Sequence, residues 1–176
     1  MAPLLVLVSG SPGSGKTTLA RRLAADLVIP LLGKDTIKEA LGDSLVVDSV
    51  ERSQQLGRAS VEVLYALVKG QLDLGVSVVV DHAFHQAFAD AVVPLVDGST
   101  AVLVHCTAPD ELITERVLDR AARGERHPVH FDVEVTPFNV ARYAPMELDI
   151  PTLVVDTTDG YRPDYPTIVG FIEGAR

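Results

Sequence analysis

A chain of 176 residues, 47% of them apolar, can bury one core of ordinary domain size. Its 24 acidic and 15 basic residues leave a formal charge of -9, the wrong sign for a surface built along a nucleic-acid backbone, and with aromatics at 5% and no Trp the interior must be filled by Val, Leu and Ala. The one cysteine, Cys106, excludes an intrachain disulfide, no apolar run is long enough to span a membrane, and the short run Pro3 to Val8 lacks the preceding basic residue of a signal peptide, so a cytoplasmic protein is expected.

Apolar runs at Leu4 to Val8, Val28 to Leu32, Val76 to Val80, Ala101 to His105 and Thr152 to Val155 alternate with helical patterns. Such near-continuous apolar stretches are how strands buried on both faces look. The alternation predicts a parallel sheet covered by helices on both sides, an α/β fold.

Between the first strand and a helix over Thr18 to Leu27 stands Gly10-Ser11-Pro12-Gly13-Ser14-Gly15-Lys16-Thr17, which fits G-x-x-x-x-G-K-[ST], the phosphate-binding loop. Glycines let the backbone curl until successive N–H groups surround an anion. The following helix adds its positive end at the same spot. Lys16 brings a full charge to the β- and γ-phosphates, and the Thr17 hydroxyl suits Mg2+. A triphosphate is therefore expected over Gly10 to Thr18.

After the second strand, "GKDTIKEALG" places Asp35 at the opening of a helix that Gly42 closes. Asp35 is either a general base for a hydroxyl or the helix cap, roles that compete for the same oxygens. Lys34 and Lys38 flank it and either touch substrate or face water. Asp48, with Glu51 three residues on, reads as the capping box of a long helix whose core stripe is Val50, Leu64, Leu67, Val68 and Leu72.

"VSVVVDHAFHQ" ends a strand in Asp81, at the edge where a carboxylate can hold Mg2+ beside the phosphate loop; the alternative is a turn residue. His82, Phe84 and His85 should then face the substrate crevice. Thr107, Pro109 and Asp110 start a helix that runs to about Ala122. Arg116, Arg120, Arg123 and Arg126 bring four arginines into eleven residues of an acidic protein, which asks for anions or for pairing with Glu115, Asp119 and Glu125. Residues 123 to 135 have no apolar period and read as a mobile loop, with a lid over about 120–135. There an arginine could cover the γ-phosphate, and His130, Phe131 and Asp132 could close on substrate. Thr136 and Pro137 open a short helix ended by Pro145, and Tyr165 to Ile172 forms a terminal one.

Taken in order, "GSPGSGKTTLARRL", "GKDTIKEAL", "VVVDHAF", the arginine-rich segment and "VVDTTDG" resemble the zeta-toxin and chloramphenicol phosphotransferase group of small AAA-type P-loop kinases, over nearly the whole chain. The resemblance implies a three-layer α/β/α sandwich, a single domain over 1–176 with a five-stranded parallel sheet in order 2-3-1-4-5. It implies Asp35 as catalytic base, Lys16 and Thr17 on phosphate and Mg2+, and Arg120 and Arg126 against base and phosphate. It also puts the loop carrying Thr157 near the nucleotide base. His127 to His130, "HPVH", departs from the chloramphenicol phosphotransferase pattern. The 5′-kinase domain of phage polynucleotide kinase has a similar loop and an Asp in the place of Asp35.

The expectation is an ATP- and Mg2+-dependent kinase acting on a hydroxyl of a sugar-like or antibiotic-like small molecule, with Lys38, His82, His85 and His130 beside Asp35. GTP in place of ATP stays open. The rival readings are a polynucleotide 5′-hydroxyl kinase and a non-catalytic nucleotide-dependent regulator.

Overall fold

The computed structural model describes residues 2–131 and 143–176. Five strands, β1 (Leu4–Gly10), β2 (Leu31–Gly33), β3 (Val78–Asp81), β4 (Thr100–Thr107) and β5 (Thr152–Asp156), form one sheet in the order β2-β3-β1-β4-β5. Every pairing is parallel, from Leu31 opposite Val79 at one edge to Leu103 opposite Thr152 at the other. Order and direction match what the sequence led us to expect.

Two apolar layers sandwich the sheet, and alternation along β1 divides them. Leu4, Val6 and Val8 pack with Leu19 and Leu23 of helix α1 (Lys16–Leu27) and with Ile168 and Ile172 of α6 (Tyr165–Gly174). Leu5 and Leu7 pack on the opposite face with Leu64, Val68 and Leu72 of α3 (Val50–Asp73) and with Val92 and Leu95 of α4 (Ala89–Asp97). Each such side chain contributes roughly 1.5–3 kcal/mol by leaving water. Helix α2 (Lys34–Ser44) follows β2 without a loop, and α5 (Asp110–Ala122) connects β4 toward β5. No helix among the described residues is long and apolar enough to cross a membrane.

Several local expectations are corrected. Val28 does not start a strand: it is the C-cap of α1, at φ 53° and 86% exposed, and β2 begins only at Leu31. Helix α2 runs through Gly42 to Ser44, and Asp35 lies in its first turn without capping it; Gly33 is the cap residue. Ser49, not Asp48, caps α3, its hydroxyl accepting from Arg52 N at 3.2 Å, while Asp48 pairs with the Arg52 guanidinium. The buried stripe of α3 is Ser53, Leu56, Ser60, Leu64, Val68 and Leu72, whereas Val50 and Leu67 are exposed. Ser60 is accommodated because its hydroxyl donates to Leu56 O at 2.7 Å. Helix α4 was not expected, because Pro94 lies inside it. A nine-residue helix survives one missing N–H when Val92 and Leu95 are buried.

Within the expected lid, residues 123–131 are not a featureless loop. After α5, a short 3-10 turn at Pro128–His130 buries Val129. The short helix expected from Thr136 and the closure by Asp132 fall in residues 132–142, outside the described residues.

Candidate active site

All five strands point their carboxyl ends at one edge, and the connections leaving that edge bring the charged residues together. The loop after β1 carries the glycines at positive φ, Gly10 at 140° and Gly13 at 84°. A Cβ at Gly10 would lie 2.4 Å from Cys106 O, and one at Gly13 would lie 2.8 Å from Ile113 O of α5. Both positions therefore need glycine for space as well as for conformation. Ser11 and Ser14 are buried in the loop, and the Ser14 hydroxyl has no hydrogen-bond partner among the described residues. Lys16 Nζ folds back to Ser11 O at 3.5 Å.

Asp81 ends β3 next to this loop. Its Oδ1 is buried and has no hydrogen-bond partner among the described residues, and the Thr17 hydroxyl and the Lys16 ammonium both favour its ionised form. Burial raises its pKa, against the charge of Lys16 and the bond from Thr17. An orphaned carboxylate oxygen beside a threonine hydroxyl fits a divalent cation, whose binding would satisfy it.

Asp35 sits at the start of α2 across the cleft. Burial pushes its carboxyl up, but the ammonium of Lys34, hydrogen-bonded at 3.0 Å, outweighs this together with His130 and Lys16, and holds it at about 2. His82 is pushed down to about 3, first by burial and then by the charge of Lys34, so its ring is uncharged at neutral pH. His130 is lowered by burial, opposed by a 2.9 Å bond to Glu39. His85 packs against Tyr143 with ring centres 4.9 Å apart.

These groups line one cavity of about 310 Å3, which holds Pro12, Lys16, Thr17, Asp35, Asp81, His82, His85, Arg120, Arg126 and His130 of the expected site. A second, of about 520 Å3, holds Gly13, Gly15, Thr18 and Thr157, and shares Lys16, Thr17 and Arg120 with the first. Gly10, Ser11 and Ser14 lie buried beneath the loop instead.

Two expectations fail here. Lys38 does not reach the cavity: it is buried, with its ammonium donating to Ser53 Oγ at 2.8 Å, and Lys34 takes the place beside Asp35. Phe84 does not face the crevice but is buried in the core with Leu64 and Leu103.

The wall also contains residues not anticipated, among them Glu39, Glu125 and Tyr143. Glu39 was findable, being one helical turn after Asp35. Arg116, one of the clustered arginines expected to meet an anion or an acidic side chain, instead serves the backbone. It donates to Gly13 O (3.3 Å), Thr157 Oγ1 (3.2 Å) and Thr157 O (2.7 Å), while Thr157 Oγ1 donates to Ser14 O (2.8 Å). The phosphate loop is thereby tied to the loop after β5. Arg123 pairs with Glu125 at 3.0 Å at an exposed rim, Arg123 on the second cavity and Glu125 on the first.

Fold and phosphate loop together define a P-loop kinase. Residues 5–140 match AAA_33, a family described as an AAA domain, and the chain belongs to that family. It resembles a crystal structure of a proposed kinase from Chloroflexus aurantiacus, at 32% identity and a TM-score of 0.89 over 100% of both chains. It is 31% identical to a shikimate kinase of Mycobacterium bovis across 89% of this chain and 85% of that protein. A match to a cytidylate kinase of Pyrobaculum neutrophilum, 48% identical over 48 residues, takes in 27% of this chain and only 26% of that protein. At 18% identity, the APS kinase of Mycobacterium tuberculosis in complex with AMPPNP and APS shares the fold, with a TM-score of 0.59 over 98% of both chains.

Proposed function

We propose that the chain is an ATP- and Mg2+-dependent kinase that moves the γ-phosphoryl group onto a hydroxyl of a sugar-like or antibiotic-like small molecule. The observation that carries this reading is the meeting of Asp35, Asp81 and Lys16 around one cavity, at the foot of the phosphate loop. Names among the relatives, shikimate kinase above all, support a small hydroxylated acceptor. Within the P-loop kinases, "GKDTIKEAL" narrows the likeness to the zeta-toxin and chloramphenicol phosphotransferase group, and that narrower membership is part of the proposal.

In this reading the triphosphate lies over Gly10 to Thr18, with the base in the second cavity beside Thr157. Thr17 and Asp81 would hold Mg2+, which when bound neutralises charge on the phosphate oxygens. Lys16, Arg120 and Arg126 offset the charge that builds on the moving group. Asp35 aligns the acceptor hydroxyl. A carboxyl held at about 2 is a weak base, so it orients the hydroxyl and receives its proton only late, once bond-making to phosphorus has acidified it. His82, His85 and His130 line the acceptor side.

Asp35, Glu39, Asp81 and Glu125 line the same cavity as Lys16, Lys34, Arg120 and Arg126, and such a balanced set of charges in an acidic chain supports a small acceptor over a polynucleotide. ADP release measured with a panel of hydroxylated metabolites and aminoglycosides should rise with at least one of them. Asp35→Ala should lower that transfer by about 10²–10⁴-fold with MgATP affinity kept. Full transfer by the variant would remove Asp35 from the mechanism, and tight MgATP binding with no transfer to any acceptor would favour a regulator.

A further inference from the structure

We infer that Lys38, Ser53 and Gly42 are positioning residues that hold the turn from His127 to Phe131 in place, and that this turn, through His130, closes the wall of the acceptor cavity against water. The inference rests on the kinase reading above.

The turn is fastened at three of its residues, His127, Val129 and His130. His127 Nδ1 accepts from Val129 N at 3.1 Å, which places the ring proton on Nε2, 3.0 Å from Asp43 Oδ1 of α2. His130 Nε2 lies 2.9 Å from Glu39 Oε1 on the same helix. Val129 O accepts from Ser53 Oγ of α3 at 2.6 Å, and Ser53 in turn accepts from the buried ammonium of Lys38. Beneath Val129, α2 has Gly42, where a Cβ would stand 2.6 Å from Val129 Cγ2 and 2.9 Å from its Cβ. Gly42 has no turn to make, since it lies inside the helix. Its missing side chain is the notch that admits Val129.

Burying a lysine is costly unless its ammonium is bonded. Here it supports a serine whose proton goes to the turn's carbonyl, so a charged group deep between two helices serves one exposed-side turn. What that turn accomplishes follows from its position. His130 and Glu39 complete the cavity wall on the side of Asp35. Water admitted there is a rival acceptor: its oxygen attacks the γ-phosphorus, the bond to the bridging oxygen breaks, and ADP, phosphate and a proton are released. A wall that keeps water out protects the nucleotide until an acceptor arrives.

The test uses the whole protein without any acceptor. Gly42→Ala suits helix α2, in which Ala is favoured over Gly, yet it fills the notch. Acceptor-free ADP release from MgATP should rise about threefold or more, with the MgATP Kd from calorimetry unchanged. Hydrogen exchange at residues 129–131 should quicken. Ser53→Ala, which cuts the link from Lys38, should act in the same direction. Adding Val129→Ala to Gly42→Ala removes Cγ2, the atom nearest the new methyl, and leaves Cβ at 2.9 Å, so it should bring ADP release only part of the way back. Faster exchange at the turn with unchanged ADP release overturns the role in excluding water. Unchanged exchange in both single variants overturns the anchoring. Wild-type protein that binds no MgATP removes the kinase reading itself and this inference with it, an outcome that calorimetry distinguishes from the other two.

Discussion

Lys34 decides how Asp35 behaves. Burial alone would raise the carboxyl, and the adjacent ammonium is the largest effect acting the other way. In Lys34→Met, burial loses its main opponent and the Asp35 pKa should climb from about 2. The sign follows directly: a group whose ionised form was favoured by a cation becomes easier to protonate when the cation goes. Carbon-13 NMR titration of the Asp35 carboxyl should show the upward move, and the acid limb of any transfer activity should rise with it. An unmoved titration would mean that Lys34 does not govern this carboxylate.

Among the elements, α3 separates two residues that look equivalent on paper. Asp48 and Ser49 are both good helix caps, but only Ser49 has extended backbone geometry with its oxygen on Arg52 N. Ser49→Ala should therefore cost about 1 kcal/mol in denaturant unfolding. Asp48→Ala loses only an exposed pair with Arg52 and should cost under about 0.5 kcal/mol. Equal losses would return the cap to Asp48. The stripe of the same helix was only half legible: Leu64, Val68 and Leu72 are buried, whereas Val50, three residues before Ser53, and Leu67, three after Leu64, keep the helical period yet are exposed, because packing and not period decides their burial. Ser53 and Ser60 hold buried positions that hydropathy alone gives to apolar residues.

Across the whole molecule, Arg116 joins parts of the chain that are far apart in sequence. One guanidinium spans Gly13 of the phosphate loop and Thr157 after β5, and so ties together the two loops that line the second cavity. Arg116→Met should weaken MgATP binding by about tenfold, the scale of one hydrogen bond to a charged group. Calorimetry is the measurement, and unchanged affinity would make the knot a matter of stability alone. An arginine cluster in an acidic chain pointed to anions, yet Arg116 is used by backbone carbonyls and Arg123 by Glu125, while Arg120 and Arg126 line the cavity.

Features encoded by neighbouring residues were readable from the sequence alone. The phosphate loop is contiguous, and its chemistry depends on backbone freedom and one lysine within a few positions. The central strand β1 is apolar from Leu4 to Val8 because both sheet faces are covered there, and every residue of that strand is buried. What tertiary structure decided is which distant charges meet. Lys34 and Lys38 are one turn apart on the same helix, and only the packing of α3 against it sends one to the cavity and the other to Ser53. Such a choice depends on low-dielectric contacts between segments, and no local pattern of charge or hydropathy carries it.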